Sequence, residues 1–506
     1  MSVVPTTKTV NNDEDAVKVA HLHSDQFTSS SFSTNPTMPV QNENQHWTNY
    51  VHCGYKGAWL LHENKTDKAP IHGQPLNFLV TGNVPLASGL SSSSALVVAS
   101  VLASLHGRRI LMEEEDSARL SNSSSISNLT GEQIADMCRR AEQYIGTMGG
   151  GMDQTISCLG YTQSVHFHHE TDELPISSTP ITLPRQATFV VAESTTSSPK
   201  IETANERYNK RVVECMLASK VLGRKLGIPN YLCLTTLQQV QQQMQQNVSK
   251  NNMSSLGQMK DFVLEHFKST LYTWDEILQE LDIEGRVEET KNEWLCVFPH
   301  LTSPRIATGN RQNDNSTSTA NMQLITMIGN VIREATIKGY ALQARAQHVY
   351  TEAQRVLDFH RLCCTLQQTP ADASKDDNRN SSSSSTIPKD EKEILQELGN
   401  LMNESHMSCC ELYECSSIEL DALTHTCRHY RYNGTSDVCY GSRLTGAGWG
   451  GSTVSLVADD QVTTFMKRLE KGGGEETLSH LNNSTNNKYC KRVFACKPGQ
   501  RAMLLK

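Results

Sequence analysis

The stretch that most limits what this chain can fold into is Gly82-Asn83-Val84-Pro85-Leu86-Ala87-Ser88-Gly89-Leu90-Ser91-Ser92-Ser93-Ser94-Ala95-Leu96. Ahead of it, Leu76, Phe78 and Val80 alternate with Asn77, Leu79 and Thr81, the period of a short strand. Behind it, residues 95–105 are apolar nearly all round, with Val97, Val98, Val101 and Leu102, which predicts a buried helix. Pro85 and Gly89 punctuate the connection. A strand, a flexible turn and a helix whose first turn carries four hydroxyls therefore follow one another. Such a helix start offers unpaired backbone N–H groups and the positive end of the helix dipole, and serines add short donors without bulk. That combination suits an anion, a polyphosphate above all. The alternative at this point is a serine-capped core helix after an ordinary turn.

With 506 residues, 37% of them hydrophobic, the chain can bury a sizeable core and is expected to form two domains. Its formal net charge of -8 argues against non-specific nucleic-acid binding, though not against a basic pocket. No stretch is apolar for long enough to cross a bilayer, and the polar start lacks a secretory apolar region. The fifteen cysteines show no regular disulfide spacing and include the adjacent pairs Cys363-Cys364 and Cys409-Cys410. They read as reduced thiols of a cytoplasmic protein.

Along the chain, Val3, Val4, Val17, Val19 and Ala20 suggest one or two short strands, while 27–45 is polar and gives no regular pattern. A helix is expected from Trp47 through Trp59, weakened by Gly54 and Gly57. Residues 121–130 read as a surface insertion, with Thr130 capping a helix over 131–145. A strand is predicted over 188–192 and a helix from Glu202 onward. The Gln- and Asn-rich stretch 238–255 reads as an extended surface helix or an insertion, and 313–319 and 371–388 as low-complexity insertions. One long helix is predicted over 332–359, although Gly339 interrupts it. A helix from Lys389, a strand over 454–457, a helix over 459–470 and a last strand near 492–495 complete the pattern.

Two further stretches carry chemistry. The helix over 131–145 ends in Gly146-Thr147-Met148-Gly149-Gly150-Gly151, and Met152-Asp153-Gln154 follows at once. Glycines let backbone approach a ligand, and Asp153 could then orient or deprotonate a hydroxyl that attacks a terminal phosphoryl group. Glu142, upstream, could return to the same cleft as a ligand of Mg²⁺, which prefers oxygen donors; the alternative is a solvated surface glutamate. The third stretch, Gly441-Ser442-Arg443-Leu444-Thr445-Gly446-Ala447-Gly448-Trp449-Gly450-Gly451, could form a backbone wall over a ligand or merely a tight hairpin. His406, Cys409, Cys410, Cys415, His425, Cys427 and His429 lack the short paired-cysteine spacing of a zinc knuckle and read as buried thiols and surface histidines. Neither a Walker-type phosphate loop nor protein-kinase signatures are present.

These three stretches resemble, in order, the ATP-phosphate motif, the catalytic-aspartate segment and the C-terminal glycine motif of the GHMP small-molecule kinases, and within them the galactokinase family. The Ser-Ser-Ser-Ser-Ala-Leu ending and Trp449 are most similar to the N-acetylgalactosamine kinase branch. Tyr208-Asn209-Lys210-Arg211-Val212, Arg345-Ala346-Gln347-His348-Val349-Tyr350, Ser405-His406-Met407-Ser408 and Tyr413-Glu414-Cys415-Ser416 extend the resemblance over about residues 45–500.

The resemblance implies an α+β fold of two domains with the active site between them. The N-terminal domain would occupy 1–195, truncated at its start, and the C-terminal domain 196–506, with the insertions near 238–255, 313–319 and 371–388. It implies transfer of phosphate from ATP, with Mg²⁺, to the anomeric hydroxyl of galactose or N-acetylgalactosamine, by a cytoplasmic monomer with no nucleic-acid or membrane partner. Asp153 would be catalytic and would hold the sugar together with Tyr208, a position at which the acetamido branch often differs. Gly89, Ser91, Ser92, Ser93 and Ser94 would line the phosphate turn, and Ser92 and Glu142 would hold the metal. Gly149, Gly150, Gly446, Ala447 and Gly448 would supply cleft backbone.

The family's opening segment, Gly-Arg-Val-Asn-Leu/Ile-Ile-Gly-Glu-His-x-Asp-Tyr, does not occur before the serine turn. The chain is accordingly expected to start inside the N-terminal domain, through an incomplete gene model or a real loss. It is then expected to be weakly active or inactive alone, because one preorganised donor to developing charge is worth roughly 3 kcal/mol. The competing expectation is a non-catalytic sugar- or nucleotide-binding regulator derived from the kinase fold.

Overall fold

The computed structural model describes residues 2–5, 19–25, 27–35, 38, 40, 47–63, 76–115, 129–146, 149–168, 176–196, 206–246, 255–283, 293–299, 325–333, 338–365, 391–429, 438–471 and 490–502. The N-terminal part is a four-stranded sheet with helices on one face. Strands β1 (Ser2–Pro5), β2 (Val19–Ser24), β3 (Ser30–Ser33) and β4 (Leu76–Val80) lie in the order β1-β4-β2-β3. The β2–β4 pair is parallel, with Leu22 opposite Phe78, and the other pairs are antiparallel. The alternation read from the sequence is real: Leu76 and Phe78 are buried, while Leu79, next after Phe78, is 53% exposed. Helix α1 (Thr48–Glu63) lays Val51, Tyr55 and Trp59 on that sheet beside Ala20 and Leu22. Tyr55 donates to the Thr34 carbonyl at 3.1 Å, which ties the end of β3 to the helix.

Helices α2 (Ser92–Glu115), α3 (Gly131–Glu142) and α4 (Met152–Leu159) pack behind α1 through Val97, Val101, Ala135, Cys138, Ala141 and Cys158. Gly54 does not weaken α1 here; it lets the helix close on α2, where a Cβ would stand 2.4 Å from that of Ser100. Thr130 caps α3 with a full capping box, its hydroxyl accepting from the Gln133 N–H and the Gln133 side chain accepting from its own. Strands β5 (Gln163–Phe167) and β6 (Ile176–Pro180) form a separate antiparallel pair.

The second sheet has the order β10-β7-β9-β8, from β7 (Ala187–Glu193), β8 (Cys439–Leu444), β9 (Ser452–Ala458) and β10 (Arg492–Cys496). A division of the chain at 195/196 would part β7 from its neighbours, since both of them, β9 and β10, come from the far end of the sequence. The end of the chain also returns to the first part: the Ala502 N–H donates to the Ser157 carbonyl at 2.7 Å.

Helices α5 (Tyr208–Lys225), α6 (Leu237–Gln246), α7 (Leu256–His266), α8 (Trp274–Glu280), α9 (325–333) and α10 (Leu342–Thr365) share a separate core. Helices α11 (Glu391–Glu411), α12 (Ile418–Arg428) and α13 (Val462–Lys471) complete the chain. α11 packs on the second sheet through Leu395, Leu398 and Met402, and α12 and α13 through Leu423, Phe465 and Leu469.

Three expectations need correction. The polar segment after Phe27 contains β3, paired with β2 through backbone bonds that composition does not reveal. The stretch 238–255 opens within α6, whose Leu237, Val240 and Met244 are buried one turn apart, so that part is core rather than insertion. The long helix over 332–359 is two helices, because Gly339 takes a φ of +77° and Tyr340 pairs with Tyr272 as a β-bridge before α10 begins. The insertions at 313–319 and 371–388 lie outside the described residues.

Lys220 of α5 is fully buried in the helical core. Its Nζ donates to the carbonyls of Leu232 and Leu234, each at 2.6 Å, and stands 5.1 Å from the centre of the Phe298 ring. Burial lowers its pKa from the ordinary lysine value of 10.5 to about 7. Between these two values the unfolded chain binds more protons than the folded one, so this residue makes stability rise with pH across that window. The slope is at most ~1.4 kcal/mol per pH unit. Denaturant titrations from pH 7 to pH 9 are expected to show this slope in the native chain and to lack it in Lys220→Met; equal slopes would contradict the assignment.

Candidate active site

The serine turn leaves β4 and needs an unusual backbone. Ala87, Gly89 and Ser91 take φ values of +51°, +72° and +56°. Ser91 ends the turn: its carbonyl accepts the first helical bond, from the Ala95 N–H at 2.9 Å, and α2 begins at Ser92. The N–H groups of the first turn thus have no partner within the helix, as an anion site requires. Ser91, Ser92 and Ser93 are partly exposed and Ser94 is buried.

The third glycine stretch lies against this turn. It is the loop between β8 and β9, and so a hairpin, but one that closes on Gly89. The hydroxyl of Ser452 donates to the Ser88 carbonyl at 2.6 Å. Gly446, with φ +73°, is so close that a Cβ there would stand 2.3 Å from the Gly89 carbonyl oxygen. The Gly451 backbone is held on both sides by 194–196, through Ser194 N–H to Gly451 O and Gly451 N–H to Thr196 O. Ala447, the next residue, is half-buried.

The second stretch arrives from the other side. Glu142 ends α3 and is buried. Ser94 Oγ donates to Glu142 Oε2 at 3.2 Å, and the buried Gln154 amide donates both to Ser94 Oγ, at 3.2 Å, and to the same carboxylate oxygen. One hydrogen-bonded bridge therefore joins the start of α2, the end of α3 and the start of α4. Asp153 is the neighbour of Gln154 in the first turn of α4, after Gly151 with φ +92°. The solvated-surface alternative for Glu142 is thereby removed.

Tyr208, the first residue of α5, closes the group. The Gly150 N–H donates to its phenol oxygen, and burial together with the nearby charges of Asp153 and Glu142 pushes its pKa up to about 12. Tyr50 of α1 reaches the same place, hydrogen-bonded to Ser93, with burial and the Glu142 charge raising its phenol pKa as well. Gly149 and Gly150 are open, with nothing within 4 Å of a Cβ at either.

Most residues singled out in the sequence thus converge. The hydroxyl that donates to the Glu142 carboxylate is that of Ser94, while Ser92 is partly exposed at the first position of α2. Gln154 and Tyr50 were missed. Gln154 had a signal, its place beside Asp153; Tyr50 had none. The Glu142 carboxylate with the Ser94 hydroxyl on it supplies oxygen donors, and the negative charges of Asp153 and Glu142 are both felt at Tyr208. The residues present fit Mg²⁺.

The GHMP kinases N terminal domain family matches residues 49–161, and the GHMP kinases C terminal family matches residues 391–471. The chain is 32% identical over 435 residues to the galactokinase of Dictyostelium discoideum, covering 85% of this chain and 70% of that protein. It is 29% identical to the galactokinase of Candida albicans, over 91% and 78% of the two chains. It is 28% identical to that of Saccharomyces cerevisiae, over 81% and 67%. Its fold is similar to that of the Lactococcus lactis galactokinase solved with galactose, with a TM-score of 0.52 at 17% identity over 98% of this chain and 84% of that one. Two family matches in the expected order and a relative of this similarity over most of both chains show that the chain belongs to the galactokinase family of GHMP kinases.

Proposed function

We propose that the protein transfers the terminal phosphoryl group of ATP to the anomeric hydroxyl of galactose or N-acetylgalactosamine, giving the sugar 1-phosphate and ADP. The observation that carries this reading is the Ser94–Glu142–Gln154 bridge, which sets the start of α2 one residue from Asp153. In this reading the free N–H groups of 92–94 hold nucleotide phosphates, and the hairpin over 446–450 walls the cleft through its contact with Gly89. Asp153 orients the sugar C1 hydroxyl and accepts its proton as the oxygen attacks phosphorus, and Tyr208, held by Gly150, borders the sugar. Positioning and charge stabilisation do most of the work in such a transfer. Glu142 and a serine hydroxyl of the α2 start, Ser92 or Ser94, would hold Mg²⁺, which when bound neutralises phosphate charge.

Glu142→Gln keeps the shape of the side chain but removes its charge. The Mg²⁺ concentration giving half-maximal turnover is expected to rise about 10–100-fold, as for other losses around a metal site. A magnesium titration checks this, and an unchanged half-point would remove Glu142 from the metal site. The function itself is tested by incubating the protein with ATP, Mg²⁺ and each sugar and resolving products by ³¹P NMR. Equal amounts of ADP and sugar 1-phosphate are expected. Bound ATP with no sugar phosphate from either sugar, also after the family's opening segment is fused ahead of the chain, would overturn the reading.

A further inference from the structure

A group of buried charges among the described residues lies outside those assigned so far. Arg345 of α10 is 1% exposed at its side chain, Glu214 of α5 is fully buried, and Arg211 of α5 is 9% exposed. Glu214 Oε2 accepts from Arg211 Nη1 at 3.0 Å and from Arg345 Nε at 2.7 Å, while its Oε1 accepts from the Ala341 N–H at 3.0 Å. The remaining arginine donors all turn to one short loop between α11 and α12. Arg345 Nη1 donates to the Leu412 carbonyl and Arg211 Nε to the Tyr413 carbonyl at 2.6 Å. Both guanidinium groups meet Glu414 Oε2, at 2.6 Å from Arg345 and 3.0 Å from Arg211.

A buried ion network of this kind is weak evidence for stability, because desolvation offsets its attraction; fixing one geometry is the better-supported use. What it fixes can be traced. Arg211 and Glu214 lie about one and two turns beyond Tyr208 on α5, so the network grips the helix that carries Tyr208. Tyr413 packs in the same place, stacked on His348 with ring centres 4.4 Å apart, and its phenol senses Tyr208. The Cys415 carbonyl then accepts the Trp449 N–H at 2.7 Å, and a Cβ at Gly448 would stand 1.9 Å from that oxygen. Loop 412–415 therefore meets the hairpin with no slack, and that hairpin is the one whose Gly446 touches Gly89.

We infer that Arg345, with Arg211, Glu214 and Glu414, is a positioning residue that sets the distance between Tyr208 and the glycine wall, and thereby the fit of the sugar. This rests on the sugar-kinase reading above. Glu414 is the handle for a test, because its side chain is 57% exposed and its loss leaves the buried Arg–Glu pairs in place. Glu414→Gln is expected to raise the KM for sugar three- to tenfold, and Arg345→Met more than tenfold, with Arg345→Lys restoring part of the loss. Amide hydrogen exchange is expected to show the Trp449 N–H exchanging at least tenfold faster in Glu414→Gln.

A purely structural role would lower the melting temperature and the active fraction but leave the sugar KM unchanged, and that result would overturn the inference. So would faster exchange at Trp449 without a change in KM, or unchanged exchange. An unsubstituted protein that makes no sugar phosphate would instead count against the kinase reading, and the exchange measurement would still decide whether the network holds the hairpin.

Discussion

Replacing Asp153 by asparagine is expected to lower the turnover of sugar 1-phosphate by about 10²–10⁴-fold, the range that a positioned general base supplies. Asparagine has the shape of aspartate, so the first turn of α4 and the neighbouring Gln154 bridge should stay in place. What changes is the charge beside Tyr208 and the ability to take a proton from the sugar hydroxyl. The loss should therefore fall on kcat, with nucleotide affinity changed by no more than about threefold. Steady-state kinetics and a nucleotide-binding titration on the same preparation separate the two. Unaltered turnover would show that another group takes the proton.

The second large effect is expected from Gly446→Ala. Gly446 has a φ of +73°, a conformation that costs an alanine roughly 1–2 kcal/mol, and its new methyl carbon would stand 2.3 Å from the Gly89 carbonyl oxygen. Two backbones meet there, so no rotamer change relieves the clash. The serine turn has to shift, and with it the start of α2. ATP affinity is expected to fall more than tenfold, about 1.4 kcal/mol or more, with a lowered melting temperature. Gly149→Ala is the control, since nothing lies within 4 Å of a Cβ there; its stability should change by less than about 0.5 kcal/mol. Equal effects of the two substitutions would contradict the close contact between the first and third glycine stretches.

Local chemistry made part of this legible. The alternation of Leu76, Phe78 and Val80 gave β4, and Thr130 with Gln133 gave the cap of α3, because both are decided by residues a few positions apart. The three glycine-containing stretches could be recognised as motifs for the same reason. What bound them together could not. Ser94 and Glu142 are 48 residues apart in sequence, Arg345 and Leu412 are 67 apart, and Ser452 and Ser88 are 364 apart. No periodicity encodes such pairs, so the Ser94–Glu142 contact could not be read from the sequence. The Gln-rich start of 238–255 misled for a different reason. Composition averaged over the stretch hid Val240 and Met244, which with Leu237 recur at helical spacing and are buried. Gly339 was noticed as an interruption, but its positive φ and the Tyr272–Tyr340 bridge depend on a segment elsewhere in the chain.

A crystal structure of the protein with galactose and a non-hydrolysable ATP analogue is the most direct test of a single shared cleft. The account predicts the triphosphate against the N–H groups of 92–94, with the sugar C1 hydroxyl within about 3.2 Å of the Asp153 carboxylate. A nucleotide bound away from the start of α2, or a sugar out of reach of Asp153, would contradict it.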